Sequence, residues 1–159
     1  MWLKKFPDYN LETPNGLFGA TPLIVALNLG FNKMETLNAL LEGGSRIDAQ
    51  TDGGFSVLMA ACGNEDSDPE VVRKILRILA KVEDLRTIPQ TCVNYQMKSR
   101  TWRWKILRGI AKALVRTRLS KSRLVNRLAH GPGITALHYA ARRGDTEIVK
   151  LLLEAGANP

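Results

Sequence analysis

Residues 85–132 contain no aspartate or glutamate, although the same stretch carries 12 basic side chains. The chain is also poor in cysteine, with two, and in aromatic residues, at 6%. Cys62 and Cys92 form neither a metal-ligand spacing nor a disulfide framework, which excludes a small domain held by zinc or by cross-links. No apolar run approaches the roughly 20 residues that a membrane-spanning helix needs. The opening MWLKKFPDYNLE lacks the apolar centre of a secretory signal. These features fit a reducing, intracellular setting, cytoplasmic or nuclear. The two histidines, His130 and His138, have no cysteine or acidic partner at catalytic or metal-binding spacing. No glycine-rich phosphate loop follows a strand pattern, because Gly53-Gly54 and Gly131-Pro132-Gly133 are turn material. The acidic group Glu65, Asp66, Asp68 and Glu70 lacks the spacing of a calcium loop and reads as a solvated turn. Non-enzymatic chemistry is therefore expected, with no cofactor, no metal and no small-molecule substrate.

What the chain does contain is enough apolar material for one domain: 159 residues, 45% hydrophobic and 24% charged. The formal charge of +8 is segregated. Residues 1–84 hold 8 basic and 12 acidic side chains, and residues 133–159 hold three of each. All of the excess positive charge thus falls in the middle segment.

The most regular stretch is Gly133–Pro159, reading GITALHYAARRGDTEIVKLLLEAGANP. Leu137, Ala140 and Ala141 share one face of a helix pattern from Thr135 to Arg143. Ile148, Leu151 and Leu152 share one face of a second, from Thr146 to Glu154. Gly144 and Gly156 follow the two patterns as terminators. Two helices this short cannot bury their own apolar faces, so stacked neighbours are required. This pattern of Thr135, Leu137, His138, Ala140, Ala141, Gly144, Glu147, Val149, the leucines and Gly156 resembles the ankyrin repeat. The resemblance implies an all-α fold, an ankyrin-repeat solenoid of stacked helix-turn-helix units joined by β-hairpin fingers. It also implies a structural His138 that hydrogen-bonds between neighbouring repeats.

Two earlier stretches keep the same frame. Residues 1–18 are read as a leader or cap, in which Trp2, Leu3 and Phe6 could cover the end of the stack. Residues 19–52 form repeat 1, with Ala20-Thr21-Pro22-Leu23 in the place of Ile134-Thr135-Ala136-Leu137. Its inter-helix turn is two residues longer, and Ile24 replaces the histidine. Ile47–Gly54 then reads as a finger with an Asp-Gly turn. Residues 53–95 form a divergent, extended repeat 2, with Ser56 for threonine and Met59 for histidine. Asp68 is its expected second N-cap, followed by Pro69 and the stripe Val71, Val72, Ile75, Leu76 and Leu79. Residues 133–159 form repeat 3. Its stop at Asn158-Pro159, within a finger, suggests a piece of a longer chain.

One repeat takes roughly 33 residues, yet Thr135 lies 79 residues beyond Ser56. Residues 96–132 are the expected insertion: a helix capped by Ser99 or Thr101 and running to about Arg118, and a second capped by Ser120 or Ser122. Ile106, Leu107, Ile110, Ala113 and Leu114 make an apolar face in the first helix. That face either packs on the repeats or meets an anionic partner. Three partners suit the basic side: a calmodulin-like or other acidic protein, an anionic membrane surface, and, third, nucleic acid. For calmodulin, Trp102, Ile106 and Ala111 stand at relative positions 1, 5 and 10.

The resemblance implies protein binding through the fingers and the concave helix faces. By position these comprise Asn28, Asp48, Gln50, Asp52, Phe55, Asn94, Tyr95 and Arg142. Anionic-partner binding is expected at Arg100, Trp102, Arg103, Trp104, Lys105, Arg108, Lys112 and Arg116. The expected function is a non-enzymatic protein–protein interaction scaffold whose basic insertion takes an acidic partner. The alternative is a regulatory ankyrin segment of a larger enzyme or channel.

Overall fold

A computed structural model describes residues 19–29, 33–64, 66–86, 92–98, 101–117 and 133–159. The described residues form seven helices and no extended strand, with one isolated bridge between Gln50 and Ser56. In chain order the helices are α1 (Pro22–Leu29), α2 (Lys33–Glu42), α3 (Val57–Gly63), α4 (Pro69–Arg86), α5 (Trp102–Arg116), α6 (Ala136–Arg143) and α7 (Thr146–Glu154).

Four of these, α1, α3, α5 and α6, start on the same local chemistry. The hydroxyls of Thr21, Ser56 and Thr135 accept from the backbone N–H groups of Ile24, Met59 and His138, at 3.5, 3.2 and 3.4 Å. Each satisfies a donor that the first helical turn leaves unpaired. α4 opens as its sequence suggests: the Asp68 carboxylate accepts from Glu70 N–H at 2.8 Å, and Pro69 stands first in the helix. At α7, Asp145 accepts from Ile148 N–H at 3.1 Å. The ends match as well. After α2, Gly44 and Ser45 donate to Leu41 and Leu40 at 3.0 and 2.9 Å. After α7, Gly156 and Ala157 donate to Leu153 and Leu152 at 3.0 and 2.9 Å, closing the same two rings.

The helices lie in two rows. α3 packs between α1 and α6, while α4 packs between α2 and α7. Within each helix pair, α1 meets α2, α3 meets α4 and α6 meets α7. α3 is the centre of the first row, and Val57, Leu58, Met59, Ala60, Ala61 and Cys62 are all buried. Ala60, Ala61, Ala136 and Ala140 are the small side chains that let α3 and α6 approach. Leu37, Ile75, Ile148 and Leu152 fill the seam between the rows, each fully buried. Truncating any one of them to alanine would cost about 2–5 kcal/mol.

Polar contacts join successive helix pairs. Asn64 donates its amide to the carbonyl of Leu27 at 3.2 Å, tying the turn after α3 to the end of α1. Arg143 of α6 donates to the Ser67 hydroxyl in that same turn. Lys74 donates to Asn38, and Arg73 lies 3.6 Å from Glu147. His138 differs from the expectation. It caps its own helix, with Nδ1 2.8 Å from the Thr135 hydroxyl, and its ring is exposed. Among the described residues it makes no bond to a neighbouring helix pair.

Candidate interaction surface

Between α2 and α3 the chain makes a tight loop. Thr51 N–H donates to the carbonyl of Phe55 at 2.9 Å, and Gly54 N–H donates back to the carbonyl of Thr51 at 2.9 Å. Asp52 and Gly53 form its tip, and the Thr51 hydroxyl accepts from Phe55 N–H at 3.0 Å. A second place in the chain has the same pair of bonds. Met97 N–H donates to the carbonyl of Ile134 at 2.9 Å, and Gly133 N–H donates to the carbonyl of Met97 at 3.2 Å. Gly54 and Gly133 hold φ of 82° and 85°, so even the conformation that returns the chain is repeated. Two residues span the first closure. Residues 98–132, which contain 11 of the 23 basic side chains, span the second.

The described part of that stretch leans back on the first loop. A Cβ added at Gly54 would collide with the backbone of Lys98, and one at Gly53 would sit 3.5 Å from the Trp104 ring. Both glycines are buried as a result. No sequence signal marks this contact beyond the glycine pair itself, which also reads as ordinary turn chemistry.

Thr101 starts α5, accepting from Trp104 N–H at 3.4 Å; Ser99 lies outside the described residues. The helix ends at Arg116, close to the expected Arg118. α5 shares no broad packing with another described helix. Its inward face carries Trp104, Arg108 and Ala111, the last only 4% exposed. Burial lowers the pKa of the Arg108 guanidinium from its ordinary value. Trp102, Ile106, Leu107 and Ile110 are exposed, and so are Arg103, Lys105, Lys112 and Arg116. Ile106, Leu107 and Ile110 therefore face solvent, contrary to the packing alternative. The 1-5-10 spacing fails on geometry too, since Ala111 is buried while Trp102 and Ile106 are exposed. Arg100 and the expected second basic helix lie outside the described residues.

The other expected residues lie in several elements. Asn28 is exposed near the end of α1. Arg142 is exposed near the end of α6, with its guanidinium 5.2 Å from the Tyr139 ring centre. Phe55 packs edge-on against Tyr139, with ring centres 5.6 Å apart, and so joins the loop to α6. Asp48 forms a two-point pair with Arg46 at 2.9 and 2.8 Å. Asp48, Gln50 and Tyr95, with Ile47, Ser56, Leu58, Leu79 and Cys92, line a cleft of about 20 Å³. That is room for one water and not for a ligand. Asn94 is used internally: its amide donates to the carbonyl of Gly156 at 2.9 Å, and its oxygen accepts from Asn158 N–H at 2.7 Å. Among the described residues no helix is long and apolar enough to cross a membrane.

The described residues thus form three helix pairs packed side by side. Residues 133–159, comprising α6, α7 and the turn after them, match the family model of the ankyrin repeat. The chain thus carries an ankyrin repeat, a protein–protein interaction module, over that span. No curated protein sequence matches the chain.

Proposed function

We propose that the chain is an ankyrin solenoid of three repeats serving as a non-enzymatic, intracellular interaction scaffold. The fingertip between repeats 2 and 3 would be extended into a basic arm. The two equivalent loop closures carry this reading, because they put the basic stretch where the first finger has only Asp52 and Gly53. On that register the insertion begins at Lys98 rather than at residue 96. The repeats bind a protein through the loop residues and through Asn28 and Arg142, which are exposed in the same row. The arm binds an anionic partner, because 11 basic charges without an acidic neighbour in sequence repel one another until a counter-charge arrives.

Affinity capture from a cell lysate tests this, comparing the full chain with two variants. In one, Lys98–Pro132 is replaced by Asp-Gly; in the other, Asn28→Ala is combined with Arg142→Glu. Proteins held by the repeats should survive the first change and vanish with the second. Anionic partners should behave in the opposite way. Capture of no specific protein by the full chain would refute the scaffold reading.

A further inference from the structure

α5 turns its apolar stripe to solvent and keeps its other side seated on the protein. Trp102, Ile106 and Ile110 follow at four-residue steps and are 70%, 53% and 54% exposed. At 100° per residue they fall on one stripe, which also includes Ala113. Lys105, Lys112 and Arg116 border that stripe on one side and Arg103 on the other, all exposed. The inward side is Trp104, Arg108 and Ala111, with the Trp104 ring against Gly53. Exposing large apolar side chains in register works against stability unless something covers them.

We propose that α5 docks on an anionic phospholipid surface. The helix would lie in the headgroup plane, with Trp102, Ile106 and Ile110 entering the apolar boundary and Arg103, Lys105, Lys112 and Arg116 meeting lipid phosphates. This rests on the proposed role of the basic arm and specifies its partner. A membrane is favoured over an acidic protein groove by the shape of what is offered. A plane needs one face of a helix, and one face is what α5 presents. An enclosing, calmodulin-like partner would also need Trp104 and Ala111, which face inward. Cationic side chains flank the stripe on both borders, so either edge of the helix can meet headgroups. Tryptophan at the exposed start of the helix suits the same boundary, being apolar in body and polar at its N–H.

The test is flotation of the full chain with vesicles of phosphatidylcholine alone, and with about 30 mol% phosphatidylserine added. Binding should occur on the anionic vesicles and not on the neutral ones. It should bring a blue shift in tryptophan fluorescence that Trp102→Phe removes. Ile106→Ser with Ile110→Ser, and separately Lys105→Glu with Lys112→Glu, should each weaken binding about tenfold or more. These four positions are exposed, so unchanged far-UV circular dichroism is expected for both double variants. The inference is overturned by no binding to anionic vesicles, by equal binding to neutral ones, or by full binding of the Ile106→Ser, Ile110→Ser variant. Binding of calcium-loaded calmodulin or another acidic protein without vesicle binding would overturn it too, yet leave the anionic-partner reading standing. Binding of neither would remove both.

Discussion

Met97 donates its backbone N–H to the carbonyl of Ile134 at 2.9 Å, the bond that Thr51 makes to Phe55 at the same length. The chain leaves at Lys98 and returns at Gly133 through a neck no wider than an ordinary hairpin tip. Loop-closure entropy grows only slowly with length, so lengthening a fingertip costs the neighbouring helix pairs little. A long basic stretch can therefore sit between two packed units without separating them.

Gly54 and Gly133 share a left-handed backbone but differ in surroundings, which separates two costs. Gly133→Ala should destabilise by about 1 kcal/mol, since nothing lies within 4 Å of the added methyl and only the backbone objects. Gly54→Ala should cost about 2–4 kcal/mol, because the methyl also meets the Lys98 backbone. Urea unfolding of the two variants measures the difference. Equal losses would mean that residue 98 does not rest on this loop.

Asn94 joins the neck to the turn after α7 with two hydrogen bonds, to Gly156 and from Asn158. Asn94→Ala should cost about 1–3 kcal/mol. Hydrogen exchange should accelerate at the Asn158 amide and leave α1 and α2 unaffected. Uniform acceleration across the chain would show that Asn94 serves the whole fold rather than its last unit.

Burial pushes the Cys62 thiol from an ordinary 9.0 up to about 12, with Arg143 opposing the shift and Asp145 adding to it. In the unfolded chain the thiol ionises near 9, so the unfolded state holds fewer protons than the native one above that pH. Stability from this group is complete below about pH 9 and is lost as pH rises from 9 towards 12. At pH 8, a thiol reagent should modify Cys92 well before Cys62, which is fully buried. Mass mapping of the labelled peptides checks the order, and comparable rates would contradict the packing of α3.

The ends of the helices were legible because their chemistry is local. Thr101, one of two expected caps, and Asp68-Pro69 announce two helix starts within three residues of the bonds they make. The orientation of α5 was not legible in this way. Periodicity shows that Ile106 and Ile110 share a stripe, and apolar stripes in soluble domains usually face inward. Here Trp104 reaches back to Gly53, a contact 51 positions away that no local pattern encodes. Asn94 poses the same difficulty, since its position reads as an exposed loop while its partners lie 62 and 64 residues further on. His138 shows the reverse case. The motif implies a long-range bond, but the cap of its own helix takes the ring nitrogen.

Thermal unfolding of a chain in which Lys98–Pro132 is replaced by Asp-Gly tests most directly whether the basic stretch is an extended fingertip on a self-sufficient stack. Circular dichroism at 222 nm should show one cooperative transition, with a midpoint within about 5 °C of the full chain. The helical signal lost should match the residues removed. A broad or split transition, or loss of the α6–α7 signal as well, would mean that residues 98–132 hold the helix pairs together rather than project from them.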